Sequence, residues 1–335
     1  MNSIPASAVI EITPHCNWNC FYCANLWKIK NDYSEHLPTK NPFDILNKLL
    51  DVGVDTLKIT GGEPLLYDKI VDFCQYAYHE VKYLILSTNG SLISKYQHTS
   101  LFKNIDRWDV SFNSNNKQTF KQMCQGPGEY EKTRKGIDLL ESNEYTFGIS
   151  LTAMSTNYSD IYPTCLFFKN FQYITDIGIN FFRTIGKGKS NEDKSLTLQE
   201  LRSLLETVKT IKTICTFDIS VDVFPKCLVD EKSRELIPDC SMGEMFAIDA
   251  WGNFKLCPSS VPLGNIFDKE IEEFWSSPQV RNLQKVSWLP ELCMNCPLPG
   301  KCKGGCKVST DPLFGCDSYL LKYKEKRNET NLNCQ

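Results

Sequence analysis

Three cysteines crowded onto eight residues, Cys16-Asn17-Trp18-Asn19-Cys20-Phe21-Tyr22-Cys23, constrain this chain more than any other stretch. They follow Ala8-Val9-Ile10-Glu11-Ile12-Thr13, an alternating, β-branched run that reads as a strand. The thiols therefore leave the C-terminal end of a strand, where α/β folds build their sites. Three soft ligands on a short loop suit an iron–sulfur cube and leave its fourth iron without a protein ligand. Structural zinc is the plainer alternative, but it wants four protein ligands. His15 is the one further candidate nearby, and its adjacency to Cys16 places it poorly for the same metal.

Cysteine usage elsewhere extends this reading. The 335 residues carry sixteen cysteines. The first residues lack the charged region and apolar core of a signal peptide, and no apolar run is long enough to span a bilayer. A disulfide framework is thus disfavoured, and metal in a reducing cytoplasm is favoured. A net charge of −3 supplies no basic field for nucleic acid.

The first half alternates strand-like and helix-like segments. After a polar, irregular stretch over 28–40, Asn41 or Pro42 opens a helix with Ile45, Leu46, Leu49 and Leu50 on one face and Gly53 as its stop. Further strands are predicted over 56–60, 83–87, 108–112, 146–153 and 180–183, and helices over about 68–79 and 130–141. Six strand signals interleaved with helices imply a parallel sheet of βα units. Lys58, on one of these strands, reads as a buried structural lysine in an ion pair rather than a catalytic group. Leu196, Leu198, Leu201, Leu204, Leu205, Val208 and Ile211 then follow helical spacing, and a β-like run over 217–223 comes after them.

Two strand ends carry more than turn chemistry. In Gly61-Gly62-Glu63-Pro64 the glycines let backbone approach a ligand closely and Pro64 stiffens the exit. An ordinary strand-to-helix turn also uses glycine, but a carboxylate between Gly and Pro is not a turn requirement. The last third offers seven thiols: Cys240 and Cys257, which flank Gly252, then Cys293, Cys296, Cys302, Cys306 and Cys316. Cys293 to Cys306 taken alone fits a zinc knuckle as well. Residues 247–251 and 254–256 read as a hairpin turning at Trp251-Gly252-Asn253.

The CxxxCxxC spacing with Tyr22 before its last cysteine, the GGEP box, the Thr88-Asn89-Gly90 strand end and the segment 109–113 together resemble the radical S-adenosylmethionine (SAM) superfamily. The seven C-terminal cysteines with Gly252 resemble its SPASM extension. The fold so implied is an open, partial (β/α)6 TIM-like barrel over about 5–190. A connecting helix and strand over 191–226 then lead to a small cysteine-rich cluster domain over 227–335. The implied cofactors are SAM and three [4Fe–4S] clusters, one binding SAM and two auxiliary. Cys16, Cys20 and Cys23 would hold the first. Cys293, Cys296, Cys302 and Cys316 would hold the distal auxiliary cluster, and Cys240, Cys257 and Cys306 the nearer one, with Cys227 as candidate fourth ligand. Without Cys227 the nearer cluster has an open iron. The resemblance gives Gly61, Gly62, Glu63 and Pro64 to the methionyl amine. Tyr22 is placed against the adenine, with packing under the loop as its alternative, Thr88 and Asn89 near the SAM, and either Ser111 or Arg183 against ribose or carboxylate, with a surface role as the alternative for Arg183.

Six cysteines lie outside these motifs: Cys74, Cys124, Cys165, Cys215, Cys227 and Cys334. Most read as small buried apolar residues, while Cys124, in a polar loop after the fourth strand, is a candidate hydrogen donor to a substrate radical. Relatives with the SPASM extension mostly act on peptides. The expected activity is therefore hydrogen abstraction from a peptide or protein, in maturation by crosslinking, oxidation or epimerisation. A carbohydrate or small-metabolite dehydrogenase or epimerase is the alternative within enzymes, and a non-enzymatic iron–sulfur or zinc protein the alternative outside them. Partners would be an electron donor such as flavodoxin or ferredoxin and, because the first strand begins within ten residues, a separate leader-peptide-binding protein. Two departures stand out. Asn113 replaces an Asp common in relatives, and Pro258 stands where sulfatase-maturing relatives carry an acidic residue.

Overall fold

A computed structural model describes residues 3–25, 40–125, 129–240, 242, 244–284, 289, 293, 296 and 302–309. Seven strands run parallel and pair in sequence order. They are β1 (Ser7–Glu11), β2 (Thr56–Thr60), β3 (Tyr83–Thr88), β4 (Arg107–Ser111), β5 (Phe147–Ala153), β6 (Ile174–Phe181) and β7 (Asp218–Val221). On the other side of β1, β8 (Phe246–Ile248) pairs parallel with it. Antiparallel β9 (Asn253–Lys255) and β10 (Gly264–Asn265) then extend the sheet. The expected hairpin is β8–β9, and Gly252 turns it at φ +86°. Among the described residues β7 and β10 are the two ends of one ten-stranded, unclosed sheet.

Among the described residues six helices lie between the parallel strands β1 to β7: α1 (Pro42–Asp51), α2 (Ile70–Glu80), α3 (Lys117–Cys124), α4 (Glu129–Ser142), α5 (Ile161–Phe167) and α6 (Leu198–Ile214). α1 starts where predicted, because the Asn41 side chain accepts from the Phe43 N–H ahead of Pro42. A capping box of Thr197 and Glu200 opens α6. One sheet face is apolar and fully buried through Leu57, Ile59, Leu84, Leu86, Trp108 and Val110, in one core with Ile45, Leu46 and Leu49 of α1 and Phe73 and Ala77 of α2. The other face is polar. There Lys58 Nζ reaches Asp109 at 2.5 Å, and Arg107 bridges Asp109 and Asp176 at 2.8 Å each. Lys58 thus has the ion-pair role read from its sequence but is not buried as expected, its side chain being 38% exposed.

The structure adds to the predicted elements in three places. β6 begins at Ile174, six residues before the predicted strand, because Thr175, Asp176 and Gly178 hide the alternation of Ile177, Ile179 and Phe181. The β-like run over 217–223 contributes β7, a seventh parallel strand hydrogen-bonded to β6. Cys124 closes a helix instead of lying in a loop: Asn116 caps α3 by accepting from the Gln118 and Thr119 N–H groups, and Phe120, Met123 and Cys124 form its buried face. Gly126, Pro127 and Gly128, which follow it, lie outside the described residues, as does the stretch 28–39. Among the described residues no helix is long and apolar enough to cross a membrane.

Candidate functional site

The cysteine loop leaves β1 and is fastened on several sides. Gly62 N–H donates to Thr13 O and Glu63 N–H to His15 O, both at 2.7 Å. A Cβ on Gly62 would stand 2.1 Å from His15 O, and one on Gly61, at φ +144°, 2.4 Å from Thr13 O. What comes close to these glycines is therefore the chain's own loop. On the opposite side Lys187 N–H donates to Cys23 O at 2.9 Å, and a Cβ on Gly186 would meet that same oxygen at 2.4 Å. Inside the loop, Trp18 Nε1–H donates to the buried Glu129 carboxylate at 2.9 Å, and Asn19 N–H to Cys124 O at 3.2 Å.

Glu63 is fully buried. One carboxylate oxygen accepts from Thr88 Oγ1 at 2.7 Å and Leu65 N–H at 3.0 Å, the other from Asn89 N–H at 2.7 Å. Burial pushes its carboxyl up to about 7, against these three donors, which favour the charged form. Asn89 Nδ2 in turn donates to Asn17 Oδ1 at 2.8 Å, and Asn17 Nδ2 to Ser91 Oγ at 2.9 Å. Glu63, Thr88 and Asn89 thus bind the ends of β2 and β3 to the cysteine loop.

Beside the loop, past the C-terminal ends of β5, β6 and β7, lies a cavity of about 460 Å³. Tyr22 and Cys23 contribute to it, as do Thr152, Asn180, Arg183 and Asp222. Arg183 Nη2 donates to Asp222 Oδ2 at 3.1 Å and to Val223 O at 2.6 Å, so this guanidinium ties the ends of β6 and β7. Cys240, Cys257 and Cys306 from the last third line the same cavity, with Met242, Met245 and Val308. Burial raises the Cys240 thiol and pushes Cys257 up to about 11. Lys307 is drawn down to about 8 by burial, although the thiols of Cys240, Cys302, Cys293 and Cys306 around it pull the other way.

Residues 10–168 match the radical SAM superfamily, and residues 240–297 match the SPASM iron–sulfur cluster-binding domain. The chain belongs to the radical SAM superfamily and carries a SPASM domain. Its four-iron and SAM cofactors are those of the two families. It is 25% identical over 329 residues to the subtilosin biosynthesis protein AlbA of Bacillus subtilis strain 168, covering 90% of this chain and 67% of that one. It is 22% identical to an AdoMet-dependent heme synthase of Methanosarcina barkeri, covering 91% and 92%. A match at 31% identity to a probable GTP 3',8-cyclase of Methanococcus maripaludis covers 44% of this chain and 48% of that protein, so the chain spans about half the length of that relative. Among solved structures, Streptococcus suis SuiB bound to its precursor peptide SuiA superposes with a TM-score of 0.70 at 18% identity, over 95% of this chain and 76% of that one.

The donor chemistry fits the radical SAM cofactor. Cys16, Cys20 and Cys23 offer three thiols on a braced loop, Cys20 buried and the others half-buried. Among the described residues no three His, Cys, Asp or Glu side chains converge as a single metal ion would need. A cube, whose sulfur ligands sit on separate irons, does not ask for that convergence. Tyr22 is turned toward the loop. Burial, then the Cys20 and Cys124 thiols, hold its hydroxyl well above the usual phenol range, and Asn113 Nδ2 donates to it. Asn113 is itself buried, its Oδ1 accepting from Thr152 N–H at 2.7 Å and its carbonyl from Asn157 Nδ2 at 2.7 Å. An amide there donates and accepts at once, a role that comparison with Asp in relatives did not suggest. Ser111, half-buried, ends β4 opposite Ser150.

Other expected site residues fall elsewhere. Cys124 is fully buried against the cysteine loop and is not among the residues lining the cavity; burial, then Cys20, raises its thiol. Cys227 is exposed and also off the cavity wall, and its neighbour Lys226 donates its N–H to Cys302 Sγ at 3.3 Å. Cys293 and Cys296 are hydrogen-bonded, Cys296 N–H donating to Cys293 O at 3.2 Å. Cys316 and Cys334 lie outside the described residues. Cys74 and Cys165 are fully buried core residues, as their apolar surroundings predict. Lys187, Glu129, Thr152 and Asp222 went unnoticed in the sequence. Only for Lys187 was there a signal, the Gly186-Lys187-Gly188 turn directly after β6.

Proposed function

We propose that this enzyme abstracts hydrogen from a peptide or protein substrate in the maturation of a ribosomally made precursor. When bound, a reduced four-iron cluster supplies the electron that cleaves SAM to the 5′-deoxyadenosyl radical, the hydrogen-abstracting species. Cys16, Cys20 and Cys23 would ligate that cluster, and the GGEP turn and Asn113 brace the loop and Tyr22 that carry it. Cys240, Cys257 and Cys306 would ligate the nearer auxiliary cluster, while Cys293, Cys296, Cys302 and Cys316 serve the distal one. Within the family's chemistry an auxiliary cluster accepts an electron or binds substrate.

The observation that carries this reading is the shared cavity. A single space of about 460 Å³ is lined by Tyr22 and Cys23 and by Cys240, Cys257 and Cys306, so a side chain held there would be close to both cysteine sets. Support for a peptide comes from the match to AlbA across 90% of the chain and from the fold shared with SuiB, whose structure holds a precursor peptide. A small metabolite is the second reading, favoured by the comparably complete match to a heme synthase. The test is anaerobic: reconstituted protein, SAM and dithionite are incubated with synthetic peptides encoded next to this chain's own gene. Peptide-stimulated 5′-deoxyadenosine together with a mass change in the peptide supports maturation. SAM cleavage indifferent to every such peptide, but stimulated by small metabolites, transfers the function to the second reading.

A further inference from the structure

Two buried charged residues lie at strand ends and outside the cavity: Glu11 at the end of β1 and Lys255 at the end of β9. Their side chains are 3% and 6% exposed. The register brings them together. Val9 pairs with Ala247 and Ala247 with Lys255, so β8 alone separates the two strands. Adjacent strands are about 4.8 Å apart, which leaves two such intervals to cross. A lysine side chain lying over the small Ala247 can cover them, and Glu11, two residues past Val9, meets it on the same face. Lys255 Nζ donates to the Glu11 carboxylate and, at 2.8 Å, to Pro258 O.

Each end of this pair leads to a cysteine set. Pro258 belongs to the turn that carries Cys257. That turn is a closed unit, because Ser260 N–H donates to Cys257 O at 3.0 Å and Ser260 Oγ accepts from the N–H groups of Leu256 and Cys257. Glu11 stands five residues before Cys16, on backbone pinned by Ile12 N–H to Thr60 O at 2.9 Å and by Gly62 N–H to Thr13 O. Cohesion alone does not account for such a pair, since withdrawing two charges from water costs as much as their attraction returns and apolar side chains would pack as well. Its donor geometry, with one ammonium holding both a carboxylate and the carbonyl beside Cys257, specifies position. We propose that Glu11 and Lys255 are positioning residues that hold the Cys257 turn at a fixed separation from the Cys16–Cys23 loop, and so set the span of the cavity between the two cysteine sets.

This rests on the reading that Cys257 ligates an auxiliary cluster, and the experiment separates the two. In the reconstituted, reduced full chain, Cys257→Ser must lose an auxiliary EPR signal; if it does not, the ligand reading fails and the positioning claim with it. Given that loss, Lys255→Met is expected to keep the SAM-induced change in the EPR spectrum. It should nevertheless release auxiliary iron to a chelator about tenfold faster, the effect typical of groups that orient metal ligands. Lys255→Arg retains a cation within reach of the Pro258 carbonyl and should restore retention. The double variant Glu11→Met/Lys255→Met removes both buried charges and decides the matter even if the single variant folds poorly. It should regain thermal stability while the auxiliary line shape stays altered and the iron labile. Wild-type retention in folded Lys255→Met, or a double variant that recovers line shape and retention together with stability, would overturn the proposal.

Discussion

Gly62 offers the sharpest test of how the cysteine loop is built. In Gly62→Ala the new Cβ falls 2.1 Å from His15 O, 2.5 Å from His15 C and 2.6 Å from Pro14 O, all backbone atoms. Ordinary contact begins near 3.4 Å, so the His15 peptide must retreat by more than an ångström. That retreat stretches two hydrogen bonds now at 2.7 Å, Gly62 N–H to Thr13 O and Glu63 N–H to His15 O. Each is worth about 1 kcal/mol, and overpacking adds about 1–3 kcal/mol, so about 4 kcal/mol is expected in all. For a chain of this size that is a drop of about 6 °C in the melting temperature of the cluster-free protein. Gly53→Ala is the control: its φ is +84° but nothing lies within 4 Å of the new Cβ. It should cost about 1 kcal/mol and leave the site untouched. The paired readouts are anaerobic thermal unfolding and the SAM-induced change in the EPR spectrum of the reduced protein. A Gly62→Ala protein that melts near wild type and responds fully to SAM would refute the reasoning, as would a Gly53→Ala protein that loses its SAM response.

Three further outcomes follow from the same geometry. The Glu63 carboxyl, raised by burial from 4.5 to about 7, contributes stability that is complete below about pH 4.5 and lost as pH rises through 7, by at most about 3 kcal/mol. Urea unfolding of the cluster-free protein from pH 5 to 8 should show that decline in wild type and lack it in Glu63→Gln. The glutamine variant should also be weaker at pH 5, because its NH2 faces a backbone donor in place of an acceptor. Trp18→Phe strips the buried Glu129 carboxylate of its 2.9 Å indole donor and should cost about 2 kcal/mol in thermal unfolding, with Glu129→Gln recovering part of it in the double variant. Cys20→Ala should abolish 5′-deoxyadenosine formation while iron falls only from about twelve to about eight per chain, as loss of one four-iron cube of three requires; SAM cleavage at the wild-type rate would refute the cluster assignment.

Much of this architecture was legible because its signals are local. The α1 cap at Asn41, the alternation in β2 and the turn at Gly252 each depend on neighbours a few residues away. The GGEP box was legible as a motif but not in its purpose. A glycine needed against a ligand and one needed against the chain's own backbone carry the same sequence signature, and only the fold shows Thr13 and His15 filling the space. Asn113 was unreadable for a related reason. Its value lies in meeting Tyr22, Thr152 and Asn157, residues brought together from the cysteine loop, the end of β5 and the turn after it. α3 escaped notice because a helix with only Phe120, Met123 and Cys124 buried shows little apolar periodicity among its polar residues. The pairing of β8 with β1 was beyond reach, since three residues, Phe246–Ile248, contain nothing that names their partner.

These particulars divide the cavity into two kinds of wall. Toward the cysteine loop several groups are tethered: Tyr22 by Asn113, Arg183 Nη2 by Asp222 and Val223, Cys23 O by Lys187. Such a surface is ordered before any ligand arrives, which is what radical chemistry demands of the side that places the reacting atoms. Toward the C-terminal cysteines the lining includes Met242, Met245, Val223 and Val308, and methionine is the side chain best able to repack around different shapes. A rigid wall is written in motifs, because each tether needs a particular residue at a particular place. An adaptable apolar wall accepts many sequences, so it leaves no motif. The same contrast explains why the radical chemistry of this chain is readable in its residues while its substrate has to be found by experiment.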